Sequence, residues 1–321
     1  HRVGVGEAYR ALGVGSGMQA RAKSFLVERG DVLLVYRGAE RSPGYRFYEK
    51  NGLHDVTCIR AFSLGSGSTV VPSADMEVAW LSPSDFLAQG PQWHTIFSDC
   101  FGAHAGYPVR SADYLSDLAL TGLWRQAMQY DFSYLVVSRR GVPVGYALIG
   151  DRTGNTFLME LAAMGAQLDA AVALIGAALR KGQPLTAHAQ DGSLVAGAFT
   201  ALGAGTPPRE RGCSSIMVHV LNPESTARNV LSKVPGLRDI ELRFWTPERD
   251  GVLQRPQHAA RTVTIELKEH MFSRLLMRRL DIAAAVAEER ITLHGARPDD
   301  VQALAEALSP APWTTCRLDY L

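Results

Sequence analysis

Apolar and polar residues alternate along this chain with two different periods, and the changes between them mark the elements. At the start Val3 and Val5 alternate with small residues, as strand positions do. From Ser16 onward Met18, Ala22, Phe25 and Leu26 share one face of a helix, and Gly30 stands where a C-terminal cap belongs. The apolar run DVLLVY (31–36) reads as a strand, and RSPGYRFYEKNGL after it reads as a short helix. There Ser42 is placed as N-cap, Pro43 as first helical residue, and Asn51-Gly52 as the stop. The first 64 residues thus spell strand, glycine turn, helix, strand, helix, strand.

Residues 64–75 (LGSGSTVVPSAD) are small, polar and proline-bearing, and read as a linker. In 76–222, helical stretches near 84–98 and 111–127 precede strands at 133–138, 142–149 and 156–162. Arg140-Gly141 is a hairpin turn between the first two of these strands. A helix near 168–180 and strands at 185–190 and 214–221 complete an α/β pattern. Residues 223–321 read as α+β. ELRFW, TVTIELK and ITLHG are strands, MFSRLLMRRL and IAAAVAEE are helices, and a last helix begins near Asp299 and ends before Pro310.

A chain of 321 residues suits two or three domains, and 46% apolar with 20% charged residues is the profile of a globular protein. A net charge of +1 gives no electrostatic case for nucleic acid or an anionic membrane as partner. No apolar run approaches the roughly 20 residues of a membrane span. His1 falls directly into a strand-like run without the pattern of a signal peptide, so the natural chain is expected to begin further upstream. Cys58, Cys100, Cys213 and Cys316 are scattered without CxxC spacing. Neither a zinc site nor a disulfide framework is expected, no metal is assigned, and a reducing cytoplasm fits.

The sharpest local signal is Arg10-Ala11-Leu12-Gly13-Val14-Gly15-Ser16, a glycine turn between a strand and a helix start. Such a helix start offers unpaired N–H groups and a positive dipole end, which suit a diphosphate. Gly13 and Gly15 let ligand oxygens reach the main chain, and Arg10 adds a charge-assisted contact. A Walker A loop fails for want of Gly-Lys-Ser/Thr, and a Rossmann fingerprint fails at Met18. Two readings remain: an R/Q-x-x-G-x-G/A pyrophosphate loop, and a tight turn made of small residues for packing.

The second motif, Phe47-Tyr48-Glu49-Lys50-Asn51-Gly52-Leu53, follows at the spacing and in the element order of the GNAT (Gcn5-related) N-acetyltransferases, whose short helix reads FYEKxGF. The chain resembles that family. YLVVSRRGVPVGYALIG is similar to a second GNAT-like unit, and the tail from TVTIELK to PWTTCRLDYL is similar to a sterol-carrier-protein-like (SCP2-like) domain. That layout resembles the Eis (enhanced intracellular survival) amine acetyltransferases. The resemblance implies an α/β and α+β chain in three parts: the C-terminal half of a catalytic GNAT domain (1–64), a second, non-catalytic GNAT-like α/β domain that shapes the acceptor cleft (76–222), and an SCP2-like α+β domain (223–321). It also implies that the strands and helices preceding the coenzyme strand are absent.

By the same resemblance, acetyl-CoA is the cosubstrate. Val3, Gly4 and Val5 face its pantetheine and acyl carbonyl, and Arg10 with the backbone of Ala11, Leu12, Gly13, Val14, Gly15 and Ser16 holds its diphosphate. Tyr48 protonates the departing thiolate, and the terminal carboxylate of Leu321 is the base, with Asp319 and Tyr320 as substitutes and a solvated terminus as the bland reading. The acceptor implied is a primary amine of a small polyamine-like molecule or a lysine side chain. A homo-oligomer is left open. The rival reading is a non-catalytic protein that binds an apolar ligand or senses acetyl-CoA, with the GNAT half as a relic. The remaining histidines lie at no metal-ligand spacing, and His188 and Ser215 form no triad with an acid.

Overall fold

The computed structural model describes residues 5–9, 12–37, 43–65, 75–104, 106, 109–120, 130–152, 154–179, 183–205 and 214–313. The chain begins with a 3-10 turn (Glu7–Tyr9), α1 (Val14–Leu26), β1 (Val32–Arg37), α2 (Pro43–Lys50) and β2 (His54–Leu64). The middle carries β3 (Met76–Leu81), α3 (Pro83–Leu87), α4 (Gly90–Phe101), α5 (Tyr114–Leu120), β4 (Asp131–Arg139), β5 (Val142–Arg152), β6 (Asn155–Ala163), α6 (Leu168–Leu179), β7 (Leu185–Gln190) and α7 (Leu194–Ala201). The last part adds β8 (Ser214–Val220), α8 (Pro223–Leu231), β9 (Ile240–Trp245), β10 (Asp250–Gln254), β11 (Arg261–Glu266), α9 (Glu269–Leu276), α10 (Ile282–Ala287), β12 (Thr292–His294) and α11 (Pro298–Ala307).

Contacts gather these into two units, His1–Cys58 with Ser214–Ala311 and Ile59–Cys213 with Pro312–Leu321. In the first unit β8 lies between β1 and the start of β2, and β1 pairs with it antiparallel, Val32 opposite Val220 and Arg37 opposite Ser215. The Ser215 hydroxyl sits 2.6 Å from both Asp55 Oδ1 and the Thr57 carbonyl. A second sheet has the order β10-β9-β11-β12, with β9 and β11 parallel and the outer pairs antiparallel. α9 packs on it through Phe272, stacked 4.2 Å from Phe244.

In the second unit the later residues of β2 pair with β7, and the order continues β6-β5-β4-β3. Only the β6–β7 pair is parallel, and α6 is its crossover. That helix, LDAAVALIGAAL, is apolar on every side because it is nearly all buried. Arg140 and Gly141 both have positive φ, 52° and 76°, the type I′ hairpin geometry whose twist suits the β4–β5 pair. Side chains of α6 and α7 fill one core, and a second is built on the aromatic residues Phe86, Trp93, Phe97, Phe101 and Tyr146.

The structure departs from the sequence expectations in four places. Val5 and Gly6 belong to no strand, and Val3 and Gly4 lie outside the described residues. Second, α1 starts at Val14 rather than Ser16, and its apolar face is turned to solvent: Met18 is 49% and Phe25 57% exposed, while Gln19 is the residue it buries. The inward stripe is Gly15, Gln19 and Lys23, so the packing of α1 is governed by a close approach and polar contacts, not by its apolar period. Third, β3, β10, α7 and α8 were absent from the pattern: β10 is short and holds a glycine, and α8 (PESTARNVL) has too few apolar residues for a helical stripe. Fourth, Cys58 is disulfide-bonded, against the expectation of scattered reduced thiols. Cys100 is a buried free thiol whose pKa is pushed up to about 11 by burial. Among the described residues no helix is long and apolar enough to cross a membrane.

Candidate functional site

The glycine turn and the Tyr48 motif come together inside the first unit. Gly13 holds the N-cap position of α1 with φ 77° and ψ 0°, a left-handed conformation that costs other residues about 1 kcal/mol or more. Gly17 donates its N–H to Gly13 O at 2.9 Å, the first bond of the helix. The amides of Gly13, Val14, Gly15 and Ser16 ahead of it have no acceptor among the described residues. These are the orphan donors of a helix N-terminus, and the dipole adds partial positive charge to them. Gly13 and Val14 are exposed and Ser16 is half-buried, so the row is open to an anion. Arg10 and Ala11 lie outside the described residues, as do Leu321 and its neighbours Asp319 and Tyr320.

Gly15 explains its own identity. A Cβ there would lie 3.0 Å from Phe47 Cε2 and 3.5 Å from Val5 Cγ2. The absent side chain lets the first turn of α1 lie against α2, and the next residue of α2 is Tyr48. The Tyr48 ring is half-buried and meets Phe47 edge-on at 5.3 Å. Its hydroxyl has no partner among the described residues. A phenol in that condition is available to a ligand as a donor.

The far ends of the two helices are also tied. Lys23 Nζ donates to the Asn51 carbonyl, and His219 of β8 contacts the Gly52 carbonyl through Nδ1 at 2.8 Å. A carbonyl only accepts, so Nδ1 carries the proton. Asn222 donates from Nδ2 to Val27 O and Gly30 O and so closes the C-terminal turn of α1. Sequence reading did not name Lys23, and it placed His219 only among the dispersed histidines expected to be surface or hydrogen-bonded structural residues. Lys23 stands two helical steps of four after Gly15, a signal that the polar stripe of α1 did carry. The His219–Gly52 contact spans 167 positions and left no local trace.

Burial pushes His219 down to about 4, helped by the Lys23 and Arg249 charges and opposed by its bond to Gly52. Burial likewise lowers Lys23, with Arg249 as the next cause, and lowers His54 and His270. The consequence for stability has a definite sign. Above about 6.5 His219 is neutral folded and unfolded; between about 6.5 and about 4 the unfolded chain takes up a proton that the folded one refuses. Stability therefore falls with pH through that window. After allowance for partial exposure we expect His219 to account for about 1–2 kcal/mol of the loss. Asn places an amide nitrogen where Nδ1 lies but does not titrate. Urea unfolding at both ends of the window should show a smaller acid loss for His219→Asn than for the parent chain, and equal losses would refute the assignment.

The corresponding turn of the second unit, between β6 and α6, is closed. Gly165 and Ala166 are left-handed there, with φ 58° and 51°. The Gly165 N–H donates to the Asp99 carboxylate, Ala170 N–H donates to Asp169 Oδ1 at 2.8 Å, and Arg139 binds Gln167 Oε1 at 3.0 Å and the Asp169 carboxylate. Two amides of this turn, those of Gly165 and Ala170, thus already have carboxylate acceptors from the chain itself.

No model of a known family and no curated protein matches the sequence. Solved structures do match it in shape. A conserved protein of unknown function from Enterococcus faecalis V583, described as a probable N-acyltransferase, superposes with a TM-score of 0.67 at 13% identity, over 97% of this chain and 79% of that one. A GCN5-related N-acetyltransferase from Anabaena variabilis gives 0.62 at 13% identity, over 97% and 79%. The fold is that of the GCN5-related N-acetyltransferases. Eis1 from Mycobacterium abscessus shares it, with a TM-score of 0.58 at 12% identity over 97% of this chain and 80% of Eis1. Within this N-acetyltransferase fold, the open helix start of α1 and the ring of Tyr48 lie on adjoining helices of one unit, and the closed turn of α6 lies in the other.

Proposed function

We propose that the protein is an N-acetyltransferase that moves an acetyl group from acetyl-CoA directly to a primary amine, on a small polyamine-like molecule or a lysine side chain. The observation that carries this is the row of acceptor-free amides from Gly13 to Ser16 beside the helix that holds Tyr48, in a chain with the GCN5-related N-acetyltransferase fold. The residues fit the coenzyme: the left-handed Gly13 opens the turn, and Gly15 has no Cβ to bar the helix start.

The neutral amine nitrogen attacks the thioester carbonyl carbon, and the carbonyl electrons move to oxygen. Backbone N–H groups near Val3–Val5 meet that oxyanion. Collapse breaks the C–S bond, and the thiolate takes the proton of the Tyr48 hydroxyl. Before attack the substrate ammonium loses one proton to a base, for which the Leu321 carboxylate is the proposal, and the second nitrogen proton, released from the tetrahedral intermediate, returns to the Tyr48 oxygen. Arg10 joins the amides at the diphosphate. The proposed division is a catalytic half-domain over 1–64, a non-catalytic GNAT-like domain over 76–222, which the carboxylate-bonded turn at Gly165 supports, and an SCP2-like domain over 223–321.

Calorimetry with CoA tests the site. The parent chain should bind it, and Gly15→Val, whose side chain must displace the Phe47 ring and crowd the amides, should weaken binding at least about tenfold. Transfer to a panel of primary amines tests the reaction. Affinity for fatty acids or sterols with none for CoA would overturn the proposal in favour of a carrier, and CoA binding without turnover on any amine would make the chain a sensor.

A further inference from the structure

An eight-residue helix such as α2 makes two turns and is marginal on its own, so the direction of the Tyr48 ring depends on what holds its ends. Its middle lies against the first turn of α1 through Phe47 and Gly15. The C-terminal end is folded back on itself. Asn51 N–H donates to the carbonyls of Phe47 and Tyr48, Leu53 N–H to Tyr48 O at 3.1 Å, Gly52 N–H to Glu49 O at 2.9 Å, and Asn51 Nδ2 to Phe47 O at 2.7 Å. The main chain of Tyr48 is thus bonded directly to the Asn51–Leu53 turn.

That turn is gripped from outside by two side chains. Lys23, on the same stripe of α1 as Gly15, donates to Asn51 O, and His219 donates to Gly52 O. Gly52 has φ 72°, the left-handed region that favours glycine, and a Cβ on it would make ordinary van der Waals contact with His219 Nδ1 at 3.5 Å and Lys23 Nζ at 3.7 Å. The ammonium is held there at a desolvation cost that also lowers its affinity for a proton.

We infer that Lys23 is a positioning residue for acetyl transfer: with His219 it fixes the Asn51–Gly52 turn, and so holds the Tyr48 hydroxyl in a set relation to the amides at the opposite end of α1. This rests on the acyltransferase reading and adds to it a mechanical link between diphosphate binding and the proton donor. One rigid pair of helices then sets the distance between the coenzyme's diphosphate and the group that meets its sulfur.

Steady-state kinetics on the full chain with acetyl-CoA and an accepted amine tests the link as a double-mutant cycle. Lys23→Met should lower kcat about 10- to 100-fold, as a misplacement of the order of an ångström does, with little change in KM for acetyl-CoA. Lys23→Arg, which keeps a charged donor, should recover most of the loss. In a Tyr48→Phe background Lys23→Met should change kcat less than about twofold, because the donor it positions is gone. An equal loss in both backgrounds, or none in the parent, overturns the proposal. If Tyr48→Phe alone leaves kcat unchanged, the acid assignment fails first and takes this inference with it, an outcome distinct from failure of the Lys23 arm. Hydrogen exchange supplies a readout that needs no turnover. The amides of Asn51, Gly52 and Leu53 should exchange at least about tenfold faster in Lys23→Met while the core amides of β8 are unchanged, and unaltered exchange at the turn would also overturn it.

Discussion

Replacing Tyr48 with Phe is expected to slow acetyl transfer roughly 100-fold, the usual worth of a positioned proton donor, while affinity for acetyl-CoA changes little. The substitution removes one oxygen and keeps the ring that meets Phe47 at 5.3 Å, so the packing of α2 on α1 survives. The hydroxyl has no partner among the described residues, so its loss leaves no buried group unsatisfied among them, and folding stability is expected to hold. That combination makes the variant informative: a fall in kcat with an unchanged melting point is chemical rather than structural. The defect should also shrink with a thioester whose leaving thiol is more acidic, since such a thiolate departs without needing a proton. A constant defect across leaving groups would remove Tyr48 from that step, and an undiminished kcat would remove it from the reaction.

How much of this was legible before the structure depended on range along the chain. The two motifs of the candidate site are local, and local rules carried them. A glycine before a helix implies open amides, and Asn-Gly after a short helix implies a stop; α1, α2 and the turn at Asn51–Gly52 confirm both. The hairpin at Arg140-Gly141 was legible for the same reason, since the turn needs two left-handed residues and the pair supplies them. Long-range facts left no such trace. The exposed face of α1 is invisible to a periodicity argument, which finds the apolar stripe of Met18 and Phe25 but not which way it faces. The grip of His219 on Gly52 and the disulfide at Cys58 are properties of the folded chain, not of any window of sequence. The closed turn in the second unit is an intermediate case. The missing glycine cradle could be read, but the Asp99 carboxylate that accepts from Gly165 arrives from α4, 66 positions away.

Arg110→Met is expected to cost the second unit about 3–5 kcal/mol in urea unfolding, the largest stability loss anticipated here. Arg110 and Glu160 have 4% and 0% of their side chains exposed and pair twice, Nη1 to Oε1 at 2.9 Å and Nη2 to Oε2 at 2.7 Å. The Tyr146 hydroxyl donates to Oε1 at 2.6 Å, and the guanidinium lies over the rings of Phe97 at 4.0 Å and Tyr114 at 4.3 Å. The attraction within such a pair does little more than offset the cost of taking both ions from water, so the penalty for removing one partner is that of the charge left behind. Glu160, on a central strand between aromatic residues, would be that stranded charge. The same reasoning fixes the double variant. Arg110→Met with Glu160→Gln removes both charges, leaves Tyr146 an acceptor, and should regain at least half of the lost stability. A single-variant loss below about 1 kcal/mol would mean that water reaches Glu160 once the guanidinium is gone. A double variant no better than the single would place the stabilisation in the stacking of Arg110 on Phe97 and Tyr114 instead.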